Sequence, residues 1–381
     1  MSIDRLAQLT DPALAPRLVI KVGSALLVGK DGEPRRHWLT LLVAEIAAAR
    51  ARGQDVIVVS SGAIALGARK LGLARGGRGS LADAQAAAAV GQIALAGLWA
   101  ELLADHRLIA AQVLLTLEDL EDRRRYLNVT ATLGTLLAAG AVPVINENDT
   151  VATEEIRFGD NDRLAARVGQ AAGASAVLLL SDIDGLYDRD PRLEGAVRIP
   201  VVLGITPEIH AMATGGSSSG LGSGGMTSKL QAAEIAGLAG IALAIIDGRP
   251  DSPIAAALGE ERGTLFCPPQ RSGRKARARK AWLGGKLRMK GAVHVDAGAA
   301  AALARGSSLL AAGVTHVEGA FVRGDAIAVH GPDGGVLARG LSEYDAAECA
   351  ALMGRPSAEH EALLGYAPRS ALVHRDQLVM L

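Results

Sequence analysis

Short apolar runs at residues 17–22, 55–60, 108–114, 142–145, 176–180 and 241–246 alternate with Ala- and Leu-rich segments of helical period at 38–50, 63–71, 84–104, 127–139, 162–172 and 226–239. That alternation leaves few architectures open. A strand–helix–strand order brings successive strands parallel through helical crossovers, whereas a hairpin would bring them antiparallel. The runs are continuously apolar (RLVIKV, DVIVVS, AVLLL), so both faces of the sheet are expected to be covered. The expected fold class is therefore α/β, an α/β/α sandwich around a mainly parallel sheet.

At 381 residues the chain is long for one domain. Its texture changes past residue 265. CPPQRSGRKARARK is Pro-rich and basic and reads as a tether, and short strands separated by Gly turns follow it. The expected division is a catalytic domain at 1–266, a basic linker at 267–281, a small β-rich domain at 282–366, and a C-terminal segment at 367–381 packing on one or the other.

Lys plus Arg and Asp plus Glu each number 40, so global charge does not point to nucleic acid or an anionic membrane. Aromatics at 3% leave little surface for stacking bases. Two cysteines, Cys267 and Cys349, cannot build a disulfide framework, which fits a reducing compartment. The N-terminus lacks the charged-then-apolar order of a signal peptide. The stretch 84–104 comes nearest to a membrane span, but Gln85, Gln92 and Glu101 and the missing basic flanks favour a buried core helix. A cytoplasmic protein without membrane attachment is expected.

The most chemically loaded stretch is INENDTVATEEIRFGDND, residues 145–162. Asn146, Glu147, Asn148 and Asp149 close an apolar strand, and Asp160, Asn161 and Asp162 follow one excursion later. Interleaved amides and carboxylates suit a small zwitterion and also orient cations beside a phosphate. Two lysines bear on the second use. Lys21 ends the first strand before Gly23, although a lone strand lysine is more often salt-bridged or solvated. Lys229 closes the glycine-rich run GGSSSGLGSGGMTSK at a helix start, where backbone N–H groups can wrap phosphates. A plain surface loop has the same composition, and the order is not that of a P-loop.

Ser60-Ser61-Gly62 offers hydroxyls at a helix N-terminus, or an ordinary cap. Ser181 and Asp182 follow the strand AVLLL, where Asp184-Gly185 is equally a turn signal. Each signal is weak alone. All of them fall at strand carboxyl ends, where open α/β sheets place ligands.

Taken in order, VIKVGSALL, VVSSGAIALG, AAVGQ, VPVINENDTVATEEIRFGDND, LLLSDIDGLYDRDPR and GLGSGGMTSKLQAA resemble the amino acid kinase family. The resemblance spans nearly the whole chain. It is strongest to members with a C-terminal PUA domain that phosphorylate the side-chain carboxylate of L-glutamate, and the tail RGSSLLAAGVTHVEGAFVRGDAIAVHG resembles such a domain. The resemblance implies ATP as co-substrate and L-glutamyl 5-phosphate as product, the first step towards proline. Lys21 and Lys229 resemble the two lysines that bind ATP and stabilise the transferring phosphoryl group, and Asp162 the acid that orients them. Ser61, Asp149 and Asn161 resemble the glutamate-binding residues, with Asn146 beside them. Asp149 would meet the substrate ammonium and Asn161 its α-carboxylate. Ser181 and Asp182 resemble the nucleotide-contacting pair, and Ser223, Gly224, Gly225, Met226, Thr227, Ser228 and Lys229 the ATP loop. Ser181 and Ser223 stand where many members carry Thr, keeping the hydroxyl and losing a methyl contact.

ATP chemistry implies Mg²⁺. The eight histidines show no HxxxH or Cys/His cluster at zinc spacing, so no protein-ligated metal is expected. A homo-oligomer (dimer or tetramer) and feedback inhibition by L-proline follow from the resemblance alone. Two other readings stand beside it. One is a sister kinase acting on N-acetylglutamate or aspartate. The other is RNA binding through the PUA-like domain, with Arg271, Arg274, Lys275, Arg277, Arg279 and Lys280 as phosphate contacts or simply as a solvated linker.

Overall fold

The apolar runs become strands of one sheet in the computed structural model, which describes residues 3–29, 31–151, 160–214, 225–268, 289–369 and 371–380. The first strands are β1 (Arg17–Val22), β2 (Asp55–Ser60), β3 (Ala110–Leu115), β4 (Val142–Glu147) and β5 (Ala176–Ser181). A small hairpin of β6 (Leu186–Tyr187) and β7 (Arg198–Ile199) follows, then β8 (Val201–Val202), β9 (Ala242–Asp247) and β10 (Thr264–Phe266). The sheet order is β3-β4-β2-β1-β5-β9-β10-β8. Every pairing from β3 through β9 is parallel, β10 pairs antiparallel to β9, and β8 lies parallel to β10. The hairpin and the antiparallel strand had no counterpart in the sequence pattern, because two- and three-residue strands carry no readable period.

Both faces of the sheet are covered. Leu18, Ile20 and Val22 of β1 pack with Trp38, Leu39, Trp99 and Leu103 from the helices Arg36–Ala51 and Leu81–Ala104. Alternation turns Val19, Ile57 and Leu179 the other way, and they are buried too. The helices Asp160–Ala172 and Gly225–Leu238 pack against each other, and β1 and β9 are among the strands they contact.

Helix Leu81–Ala104 is long and apolar enough by composition to cross a membrane. Here Leu95, Trp99 and Leu103 bury one face in the core. Ser80 caps its start by accepting the Asp83 N–H. Its crossing with Ala63–Leu71 is unusually close: a Cβ added at Gly91 would lie 1.7 Å from the Ala63 carbonyl oxygen, and one at Gly67 1.8 Å from that of Ala87. Those atoms are helical backbone and cannot swing aside. Gly91→Ala is therefore expected to destabilise the fold by about 3 kcal/mol, the upper range for overpacking. Chemical unfolding midpoints check this, and an unchanged midpoint would mean the helices do not touch there.

Two compact units are distinguishable, Met1–Asp122 with Asn128–Gln270, and Arg123–Leu127 with Arg271–Leu381. The second holds a five-stranded sheet of β11 (Gly291–Val295), β12 (Val314–Gly319), β13 (Ala326–His330), β14 (Val336–Leu341) and β15 (Leu378–Met380), in the order β12-β11-β13-β14-β15. Val293, Ile327, Val329, Tyr344 and Leu372 form its core. Cys349 is buried there, and burial pushes its thiol up to about 12, so it stays protonated and inert.

Candidate active site

Parallel register brings the polar strand ends to one edge of the sheet. Val22 lies beside Ser60 on one side and Leu180 on the other, and Ser181 beside Asp247. After β2 the chain turns at Gly62, whose φ of 113° is open to glycine and strained for other residues. That turn places Ser61, its N–H donated to the Val22 carbonyl at 3.0 Å, just before the helix Ala63–Leu71. Behind it the Trp99 indole donates to Ser60 Oγ at 3.0 Å.

Asp162 is the centre of the arrangement. It sits in the first turn of Asp160–Ala172 with its side chain 1% exposed, between two lysines from distant parts of the chain. Lys21 Nζ lies 2.6 Å from Oδ1 as an ion pair. Lys229 Nζ donates to Oδ2 at 3.0 Å, and Ser228 Oγ to the same oxygen at 3.2 Å. Both lysine side chains are themselves nearly buried. Burial alone would push the Asp162 carboxyl up. The two ammonium groups outweigh it and hold the carboxyl down at about 2. Two cations against one anion leave a net positive charge in a poorly solvated place, which suits a polyanion.

A chain of amides runs beside this cluster. Asn146, at the end of β4, donates Nδ2 to Gln92 Oε1 at 2.8 Å and accepts from Asn161 Nδ2 at 3.2 Å. Asn161 Nδ2 also donates to Ser61 Oγ at 2.6 Å. Among the described residues Asn161 Oδ1 is buried with no partner, an acceptor awaiting a donor. Ser61 Oγ already accepts here, which leaves its own O–H to donate. Asp149, just past β4, is a buried carboxylate. Its charge acts on Arg78, whose guanidinium burial pushes down and Asp149 pulls up.

Of the residues singled out from sequence, Lys21, Asp162 and Lys229 meet, as do Ser61, Asn146 and Asn161. Ser181 Oγ donates to Asp182 Oδ1 at 3.2 Å at the end of β5. Gly225, Met226, Thr227 and Ser228 begin the helix that carries Lys229, whereas Ser223 and Gly224 lie outside the described residues. Asp184 accepts from Tyr187, Arg198 and Arg262 and so belongs to the turn. Sequence reading missed Gln92 and Arg78. Gln92 lay inside the quoted AAVGQ, but a helix of alanines gives no sign of which polar residue faces inward.

The amino acid kinase family model matches residues 16–247, and the PUA domain model residues 291–364. A glutamate 5-kinase from Novosphingobium aromaticivorans is 82% identical over 381 residues, covering 100% of both chains. One from Sphingopyxis alaskensis is 61% identical over 370 residues, 97% of this chain and 99% of that protein. Among solved structures, carbamate kinase from Giardia lamblia bound to AMP-PNP is 14% identical, at a TM-score of 0.48 over 66% of this chain and 98% of that one, too weak a likeness to bear on function.

Proposed function

The chain belongs to the amino acid kinase family, and from that premise we propose the residue roles by which it phosphorylates the side-chain carboxylate of L-glutamate. The reaction is that of the glutamate 5-kinases: ATP and L-glutamate give ADP and L-glutamyl 5-phosphate, the activating first step towards proline. The observation that supports the assignment of roles is the pair of ammonium groups held by one buried carboxylate, next to a pocket with an open acceptor.

The substrate carboxylate is ionised at neutral pH and needs no general base. The difficulty is bringing an anionic nucleophile to an anionic phosphoryl group, so positioning and charge neutralisation do the catalysis. Lys21 and Lys229 stabilise the negative charge on the phosphoryl oxygens in flight. Asp162 keeps the lysines oriented and does not touch the transferred group. Ser181 and Asp182 at the end of β5, with the loop of Ser223–Lys229, contact the nucleotide.

Mg²⁺ fits this donor set only as an ion carried on the nucleotide. Both oxygens of Asp162 are engaged by cations, and no preformed group of three donors exists among the described residues. Ser181 and Asp182 would help hold Mg²⁺ with the nucleotide, where the ion would neutralise charge on the triphosphate.

Asp149 and the open Oδ1 of Asn161 both accept, so together they take the substrate ammonium. This replaces the sequence-based assignment of Asn161 to the α-carboxylate. The Ser61 hydroxyl, whose proton finds no acceptor among the described residues, donates to a carboxylate instead. L-Proline carries the same α-ammonium and α-carboxylate without the reacting group, which supports competitive feedback at this pocket. A homo-oligomer through the catalytic unit rests on the family resemblance. A soluble cytoplasmic enzyme is the matching location. For RNA only the PUA match speaks, since the basic linker lies outside the described residues.

Asp149→Asn removes the charge that faces the ammonium. KM for glutamate should rise by at least about 30-fold, equivalent to about 2 kcal/mol, while KM for ATP stays within about twofold. In the same assay of ADP release N-acetylglutamate, lacking the ammonium, and aspartate, shorter by one methylene, should both be poor substrates. Turnover of N-acetylglutamate as fast as glutamate would refute this reading of the pocket.

A further inference from the structure

Three histidines line up across the sheet of the second unit, and phosphoryl transfer makes no use of them. His294 on β11 is directly opposed to His316 on β12 and, on its other side, to His330 on β13. The neighbouring residues Val293 and Val329 are fully buried in the core beneath. The histidines stand on the opposite face, His294 29% and His316 63% exposed.

Their spacing is that of a ligand set. The ring centres of His294 and His330 are 4.9 Å apart with the rings stacked, 16° from parallel, and those of His294 and His316 5.5 Å apart at 60°. Two imidazoles sharing a tetrahedral Zn²⁺ through nitrogens at about 2.0–2.1 Å place their ring centres about 5 Å apart. A carboxylate stands with them: Glu318 Oε1 lies 2.8 Å from His294 Nε2 and 3.9 Å from His316 Nε2. His330 is already oriented. Its Nδ1 is 2.9 Å from the Gly334 carbonyl oxygen, which can only accept. Nδ1 is therefore the donor in that contact, which leaves Nε2 as the nitrogen to face a ligand, as in metal-ligating histidines held by an outer partner.

We propose that His294, His316, His330 and Glu318 form a surface site for a divalent transition cation, with Zn²⁺ as the fitting ion. Three imidazoles and one carboxylate are a donor set for Zn²⁺ rather than for the oxygen-seeking Mg²⁺ or Ca²⁺. Among the described residues no three donors yet converge on one point. To close the site the His294 and His330 rings must turn out of their stacked arrangement, which their partial exposure and the adjacent strand positions allow.

Calorimetric titration of Zn²⁺ into the full-length protein, without nucleotide, tests this. One equivalent should bind in the unaltered protein. His294→Ala should lose that equivalent, and His316→Ala should weaken it by at least about tenfold. Glutamate-dependent ADP release with Mg²⁺ should be unchanged in both, and His316→Ala, altering the more exposed ring, guards against a folding defect. X-ray absorption of the one-to-one complex should show only nitrogen and oxygen ligands, at about 2.0–2.1 Å. Absence of binding in the unaltered protein, or equal affinity in both variants, would overturn the proposal.

Discussion

Replacing Lys229 by Ala is expected to lower kcat by about 10²- to 10³-fold, the range for removing one preorganised donor from developing transition-state charge. KM for glutamate should change little, because Lys229 belongs to the ammonium cluster on Asp162 and not to the amide chain of Ser61, Asn146 and Asn161. Lys21→Ala should give a loss of the same order. The double variant should fall well short of the product of the two, since the two cations share one carboxylate and on the proposed roles serve one phosphoryl group. Lys229→Arg is not expected to restore the rate. A planar guanidinium cannot occupy the nearly buried space of an ammonium 3.0 Å from Oδ2 without displacing Ser228 from the same oxygen. Single-turnover measurements at saturating ATP and glutamate separate the chemical step from binding. If both single variants keep their rate, the lysines are structural and the proposed clamp is wrong.

Much of the catalytic unit was legible because its signals are redundant. Continuous apolar runs such as Leu178–Leu180 can be satisfied only inside a sheet covered on both faces, and parallel order then puts every following loop at the same edge. That is why Lys21, Ser61, Asn146 and Ser181 could be grouped before any geometry was known. Contacts between side chains were less accessible. The partner of Asn146 is Gln92, on a helix whose apolar residues run almost all round, so no stripe marked its inner face. The open atom of Asn161 depends on which end of each amide its neighbour occupies, and residue type does not encode that. The histidine row was invisible for another reason. Zinc spacings in sequence describe ligands close along one chain, whereas His294, His316 and His330 meet only through strand register.

Asp162→Ala should be among the most damaging substitutions for stability as well as rate. The carboxylate is 1% exposed, and its removal leaves two poorly solvated ammonium groups facing each other without an anion. Breaking a buried ion cluster from one side typically costs about 3–5 kcal/mol. Asp162→Asn retains the shape and should lose less, while still releasing the lysines from their orientation and lowering kcat. The effect carries a pH signature. Burial would raise the Asp162 carboxyl, but Lys21 and Lys229 bring it down from 3.8 to about 2. A folded-state value below the unfolded one means the unfolded chain takes up the proton first. The contribution is therefore complete above about pH 4, worth about 2 kcal/mol, and is lost as pH falls towards 2. About half should already be gone at pH 3. Urea midpoints of the unaltered protein and of Asp162→Asn, compared between pH 6 and pH 3, should converge as the solution is acidified. A gap that stays constant over that range would show that Asp162 is not the ionised centre holding the lysines, and the role of the clamp would pass to another group.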